Sequence, residues 1–246
     1  MRPSAQSPGE SREGLTFRVG SAAVLIFPVI ALILAYFVSV NFIADVYYGL
    51  AAGEKNFTFY TRAITLNPRN DVYRRNLAEN YLTLATVLKN QKELPTEKRT
   101  DIETLIKKSL IEAKAAVDLN PLESDNYRAA GLIYTNLIGA VTDAGSEAKR
   151  LLEQAVRLNP YDPLLRLDLA SLYATNGQEE TATDIIRGAL KLKSDYILAR
   201  YQLSRLLTKL KKYREAREEY KVLLNLIGNN NPEFYKKVEK EMGEIN

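Results

Sequence analysis
Residues 163–196, PLLRLDLASLYATNGQEETATDIIRGALKLKSDY, are followed by residues 197–230, ILARYQLSRLLTKLKKYREAREEYKVLLNLIGNN, and the two stretches keep the same kinds of residue at the same places. Leu169, Ala170, Tyr173, Gly177, Ala182, Ile186 and Ala189 return 34 residues later as Leu203, Ser204, Leu207, Lys211, Ala216, Tyr220 and Leu223. Self-similarity at a fixed period of this length marks a stack of like units. Within each unit, apolar residues recur at helical spacing on both sides of a short polar break, which predicts a helical hairpin. Any antiparallel hairpin would account for the apolar spacing, but not for a period shared by several independent positions. Upstream, ITLNPRND ending at Asp71 returns as VDLNPLESD ending at Asp125 and as VRLNPYDP ending at Pro163. Each is a corner between helices, because the residue before a proline avoids the α region and a nearby Asp or Ser can cap the next helix.

These positions resemble the tetratricopeptide repeat, with a leucine, a small residue and a tyrosine in the first helix and Ala, aromatic, Ala and Pro in the second. The resemblance carries backward through Tyr127, Gly131 and Tyr134 with Ala148, Leu152, Ala155 and Pro160, some extra residues falling around Thr142 to Gly145. Before that come Leu77, Ala78 and Tyr81 with Ser109, Ala113, Ala116 and Pro121. The earliest unit has Ile43, Ala44 and Tyr47 with Tyr60, Ala63 and Pro68, and Asn56 where a small Ala is usual. The resemblance implies an all-α fold: a tetratricopeptide α-α superhelix of about five helical hairpins, with units near residues 37–70, 71–123, 124–162, 163–196 and 197–230 and a C-terminal capping helix over 231–246. Small residues at Ala78, Gly131, Ala170 and Ser204 would let paired helices approach closely. The unit at 71–123 is about nineteen residues longer than a standard repeat, with Pro95 near its middle, which predicts long helices over Asp71–Lys92 and Thr96–Asp118 and a spur rich in Lys and Glu. The cap segment FYKKVEKEM offers only Phe234, Tyr235, Val238 and Met242 for burial, a polar end that closes the stack and argues against filaments.

From Val19 to Ala44 the chain runs 26 residues without a charge. About 20 helical residues cross a hydrocarbon core of about 30 Å, so residues 19–44 are expected to form a transmembrane helix, Pro28 being tolerated there as a kink. A cleaved signal peptide would have a shorter apolar region and a small-residue cleavage site, and a buried soluble helix is the third reading. Arg2, Arg12 and Arg18 precede the run, whereas Lys55 is the sole basic residue after it before Arg62, so the N-terminus is expected in the cytoplasm and the repeats outside it. Residues 1–18, rich in Ser, Pro, Gly and charge, are expected to be a disordered tail. No linker separates the run from the repeats. Val40, Ile43, Ala44 and Tyr47 share one helical stripe, so the spanning helix should pass straight into the first repeat.

Composition limits the chemistry. With no Cys and no His, thiol nucleophiles, imidazole bases, disulfides and the usual zinc sites are excluded, and no metal or cofactor is expected. The 12 Gly and 9 Pro are too few for an all-β chain rich in turns. Asp143, Asp162, Asp168, Glu179 and Glu180 lie near turns or inner faces but join no recognisable base or nucleophile motif, and no phosphate-cradling loop is present. The net charge of +4 arises from 34 basic and 30 acidic residues. The basic clusters Lys209, Lys211, Lys212 and Arg214, and Lys236, Lys237 and Lys240, are followed at once by glutamates, so no nucleic-acid partner is expected. Asn56-Phe57-Thr58 matches a glycosylation acceptor, a triplet common by chance.

The groove remains. In tetratricopeptide proteins the first helices line a concave surface that holds a peptide or partner helix, and the matching positions here are Arg75, Glu79, Arg128, Leu132, Asn136, Leu164, Leu167, Asp168, Thr175, Tyr201, Gln202 and Arg205. Arg75, Arg128 and Asn136 approximate the basic cluster that some members use to grip a peptide carboxyl terminus, but Glu79 opposes it. Tyr201 and Arg205, one turn apart, are the foremost interface candidates, with packing of Tyr201 between repeats as the equal alternative. The expected function is a membrane-anchored scaffold that binds a protein or peptide in the concave groove, with no catalysis of its own. The alternative rests on a second resemblance: a membrane helix running directly into repeats with Asn-Pro corners is similar to the C-terminal part of bacterial glycan-assembly enzymes of the O-antigen ligase type. That resemblance implies a module or companion subunit of such an enzyme.

Overall fold
A computed structural model describes residues 21–54, 56–91 and 96–245. The expected tail at 1–18 lies outside them, as do the first two residues of the expected membrane run and Pro95. Among the described residues the chain is all-helical: α1 (Ser21–Glu54), α2 (Phe57–Leu66), α3 (Asp71–Lys89), α4 (Thr96–Leu119), α5 (Ser124–Asn136), α6 (Ala144–Leu158), α7 (Pro163–Thr175), α8 (Glu179–Leu192), α9 (Ile197–Lys209), α10 (Tyr213–Ile227) and α11 (Pro232–Gly243). Consecutive helices pair as α1–α2, α3–α4, α5–α6, α7–α8 and α9–α10, and each pair stacks on the next, with α11 closing the end against α10. Among the described residues the main helix contacts are therefore local in sequence or one hairpin removed, as in a solenoid.

The Asn-Pro corners are built alike. Asn67 and Asn159 end α2 and α6 with nearly the same extended backbone, φ −132° and −131°, and their N–H groups still reach Ala63 and Ala155. That conformation is what a following proline imposes. The next helix is then capped from the side: Asn70 accepts from the Val72 N–H at 3.0 Å and Asp162 from the Leu164 N–H at 2.8 Å. Glu123 does the same for Asp125 at 3.2 Å. The capping group is thus Asn70 at the first corner and Glu123 at the second, not the Asp or Ser expected there, whereas the third corner is capped by an Asp. At the opposite turns, Gly177 and Lys211 occupy equivalent positions with φ of 74° and 59°. Glycine takes the left-handed conformation freely and lysine does not, so only the first is conformationally at ease.

Gly131 shows why a small residue stands in the first helix of a hairpin. A Cβ built there would lie 2.7 Å from Leu152 Cγ and 3.3 Å from the Leu152 backbone nitrogen. Ala78, Ala170 and Ser204 are fully buried at the matching places, and Ser109 donates to the Ala78 carbonyl at 2.8 Å across the α3–α4 pair. The apolar core follows the stack as overlapping clusters, from Ala44, Ala63 and Tyr73 at one end to Tyr220, Leu223, Val238 and Ile245 at the other. In α11, Val238 is buried and Phe234, Tyr235 and Met242 pack partly against this cluster, while the rest of the helix is polar.

Two expected departures from the regular repeat are present. Helices α3 and α4 run 19 and 24 residues, against 13 and 15 for α5 and α6, and pair as a long hairpin joined near its base by Arg74 and Glu112 at 2.8 Å. α3 ends at Lys89, three residues short of the expected limit. Helix α1 is continuous from Ser21 to Glu54, so the apolar run enters the first hairpin without a break. From Ile26 to Ser39 it is exposed on every side, and the first fully buried residue is Ala44.

Candidate binding groove and its polar ladder
Helices α1, α3, α5, α7, α9 and α11 are the inner series, and a side-chain contact bridges each to the next. Tyr73 on α3 donates to Asp45 on α1, and Asn76 donates to the Tyr48 hydroxyl. Arg75 on α3 donates to Asn126 Oδ1 on α5 at 2.9 Å, and the Asn126 amide donates to Asp71 at 2.7 Å and the Ala116 carbonyl at 3.1 Å. Arg128 Nε on α5 lies 2.6 Å from Asp168 Oδ2 on α7. Ser171 on α7 donates to Gln202 on α9 at 3.2 Å, and Tyr201 on α9 donates to Glu241 on α11 at 2.8 Å. The outcome is a polar ladder running the length of the inner face. It fixes the register of successive hairpins through directional contacts, whereas the apolar packing between them is directionless.

Seven of the candidate groove residues fall into two sets, while Asn136 and Tyr201 stand apart. Arg75, Arg128 and Asp168 belong to ladder rungs, with Glu79 beside them. Loss of solvent raises the Glu79 carboxyl above its ordinary value, opposed by Arg75 and Arg128. Desolvation likewise raises the Asp168 carboxyl, and the Arg128 guanidinium pulls it back. The positive charge of Arg75 and Arg128 is thus matched by acidic neighbours, in keeping with the opposition of Glu79 read from the sequence. Asn136 is exposed at the end of α5 and donates to the Leu132 carbonyl at 2.8 Å.

Thr175, Gln202 and Arg205 form the second set, in one open cleft of about 850 Å³ between α7, α9 and α11. Ser171, Lys209, Tyr220, Glu241, Glu244 and Ile245 also line it. Arg205 is exposed and stands 5.6 Å from the Tyr201 ring centroid. Of the two readings of Tyr201, the packed one holds here: it is only 8% exposed, because α11 folds over it with Phe234 edge-to-face at 5.2 Å and Glu241 on its hydroxyl. Leu167, likewise an inner position by spacing, is buried in the core. Burial and the Glu241 carboxylate push the Tyr220 phenol up to about 12.

Three of the five acidic residues weighed for chemistry have structural partners. Asp162 caps α7, Asp168 pairs with Arg128, and Glu179 pairs with Lys209. Asn56, in the glycosylation-like triplet, caps α2 through the Thr58 N–H at 3.0 Å. Among the described residues no group of three or more acidic side chains converges to hold a metal ion. Sequence reasoning did not find Asn126, Glu241 or Ile245. The first lies outside the groove register, and the other two come into the site only through the docking of α11, which periodicity does not encode.

No protein-family model matches the chain, and no curated protein matches it in sequence. Solved structures do. PilF of Pseudomonas aeruginosa superposes with a TM-score of 0.59 at 17% identity, over 78% of this chain and 79% of that one. TTC0263, a thermophilic tetratricopeptide protein of Thermus thermophilus, gives 0.57 at 20% identity over 85% and 98%. A crystal structure of MamA gives 0.57 at 16% identity over 78% and 91%. At these identities the likeness concerns the fold, and with the helix pairing, corners and small-residue contacts it establishes that fold as an all-α tetratricopeptide superhelix.

Proposed function
We propose that this chain is a membrane-anchored scaffold that binds a protein or peptide in the cleft between α7, α9 and α11, and carries out no chemistry of its own. The observation that carries the reading is that cleft: it is open, and it gathers Thr175, Gln202 and Arg205 beside Lys209 and Glu241. A mixed lining of apolar surface, an arginine and polar side chains suits a folded segment of a partner better than a small charged ligand. The shared fold with tetratricopeptide proteins supports binding by analogy of architecture.

Anchoring rests on α1. Ile26–Gly53 is long and apolar enough to cross a bilayer, and its exposure on all sides from Ile26 to Ser39 suits lipid and not a protein interior. The bias of Arg2, Arg12 and Arg18 over Lys55 favours a cytoplasmic N-terminus and an extracytoplasmic solenoid. The glycan-assembly alternative draws no support from the matched structures. The test is retention of a co-purifying partner on the detergent-solubilised full chain: Arg205→Glu with Gln202→Ala should release it while helicity and thermal unfolding stay unchanged. Undiminished retention would remove the cleft from the reading.

A further inference from the structure
We infer that the edge of the solenoid carrying the corners α2–α3, α4–α5, α6–α7 and α8–α9 rests on the surface of the bilayer, with Leu122 and Tyr161 seated in its interfacial layer. The inference builds on the membrane-spanning reading of α1. Because the helices alternate in direction, every inner helix starts at one edge of the stack and every outer helix ends there. α1 is the inner helix of the first hairpin, so its apolar extension leaves the solenoid from that same edge.

Height follows from packing. Leu66, the last residue of α2, packs in one cluster with Ala44 and Tyr47, and Asp45 is bonded to Tyr73 near the start of α3. The first corner, residues 67–70, is therefore level with the place where the uncharged run ends, and no spacer lifts the stack away. On that edge stand the two most exposed large apolar side chains among the described residues, Leu122 at 80% and Tyr161 at 81%. Each directly follows the proline of an Asn-Pro pair, so they hold the same place in consecutive corners. Leu192 and Leu198 continue the exposed apolar surface around the fourth corner. The opposite edge turns through Asn176-Gly177-Gln178 and Lys211-Lys212, with Ile138, Tyr213 and Val87 as its exposed large apolar residues.

One exposed leucine is ordinary, but two such residues in register on the edge where the membrane helix emerges form a surface that water disfavours and lipid accepts. Tyrosine suits the headgroup layer, where its ring is shielded and its hydroxyl stays wet. Arg69, which holds the same place in the first corner, and Arg157, Lys191 and Lys193 are outnumbered on this edge by acidic residues, among them Asp71, Asp118, Asp125 and Asp162, so the contact does not rest on attraction to anionic lipid and should persist in high salt.

The chain has no cysteine, so single sites can be labelled. The full chain is placed in vesicles of phosphatidylethanolamine and phosphatidylglycerol with an environment-sensitive fluorophore at Leu122→Cys, Tyr161→Cys, Phe27→Cys or Gln178→Cys. Blue-shifted emission, quenched by lipids carrying a shallow nitroxide, is expected at positions 122 and 161 in low and high salt alike, and is not expected at 178. Quenching by deep nitroxide lipids at 27 reports the span independently. If 27 is quenched while 122 and 161 behave as 178 does, the edge contact is wrong and the span stands. An unquenched label at 27 overturns the span and the edge contact together. A blue shift at 122 and 161 without lipid quenching would mean that protein covers the edge, which also overturns the inference.

Discussion
The hydroxyl of Tyr73 donates a hydrogen bond to Asp45, joining the third helix to the first charged residue after the apolar run. The Tyr73 ring stacks on Tyr48 with centroids 4.9 Å apart. Through these contacts α1 is held by two neighbours, α2 along its side and α3 from the next hairpin, so the apolar extension and the solenoid form one continuous body.

Tyr73→Phe keeps the ring and removes the bond to a charged acceptor, which should cost about 1.5–3 kcal/mol. Because a solenoid transmits packing only to adjacent units, faster amide exchange should be confined to α1–α3 and leave α7–α10 unaltered. Hydrogen exchange by mass spectrometry reads both regions at once, and uniform acceleration would refute the local coupling.

Arg128 and Asp168 set the electrostatics of the groove floor. The fold raises the Asp168 carboxyl above its ordinary value, so its ionised form is the one the native state disfavours. Stability linked to this group is present at acid pH and is lost as pH rises from the ordinary carboxylate value through the raised one. Arg128→Ala removes the opposing charge, so the pKa should rise further and the loss should extend to higher pH. The pair is partly buried, its side chains 28% and 17% exposed, so desolvation offsets much of its attraction. Carboxyl-carbon NMR titration checks the direction; a lower Asp168 pKa in the variant would contradict it.

Three backbone positions should respond with different signs. Gly131→Ala forces a methyl onto Leu152 and should destabilise by about 1–3 kcal/mol despite alanine's helix preference. Gly188→Ala meets only Arg166 Nη1 at 3.5 Å, an ordinary contact, and should stabilise by about 0.5–1 kcal/mol. Lys211→Gly relieves a left-handed lysine and should gain up to about 1 kcal/mol. Denaturant melts of the three variants suffice, and equal responses at 131 and 188 would show that the close helix approach is not rigid.

Tyr201 and Arg205 should now separate. Tyr201→Ala empties a buried site under α11 and should cost about 3–5 kcal/mol, freeing the capping helix to exchange. Arg205→Ala, at an exposed position, should stay within about 0.5 kcal/mol of the parent. A stable Tyr201→Ala protein with α11 still protected would contradict the packing.

Much of the fold was legible because the repeat encodes it several times over. The Asn-Pro corners stop one helix by backbone restriction and start the next with a side-chain cap, and Gly131, Ala78 and Ala170 mark helix approach by size. The polar ladder was not legible. Asn126 falls outside the groove spacing and bonds to four groups on different elements, a convergence that only the stacking of α3, α4 and α5 creates. For Tyr201 exposure and packing stayed equal readings, because the period of one repeat says which face a residue occupies, not what the closing helix lays over that face. For the same reason the cleft's acidic wall, Glu241 and Glu244, came from a segment read only as a cap.

The most direct measurement is site-specific photocrosslinking of the full chain in its native membranes, with a photoreactive residue at Thr175 or Gln202 in the cleft or at Lys191 on an outer helix. A scaffold that binds through the cleft predicts one discrete protein adduct from Thr175 and from Gln202, and none from Lys191. Adducts from Lys191 alone, or none from either cleft position, would contradict it.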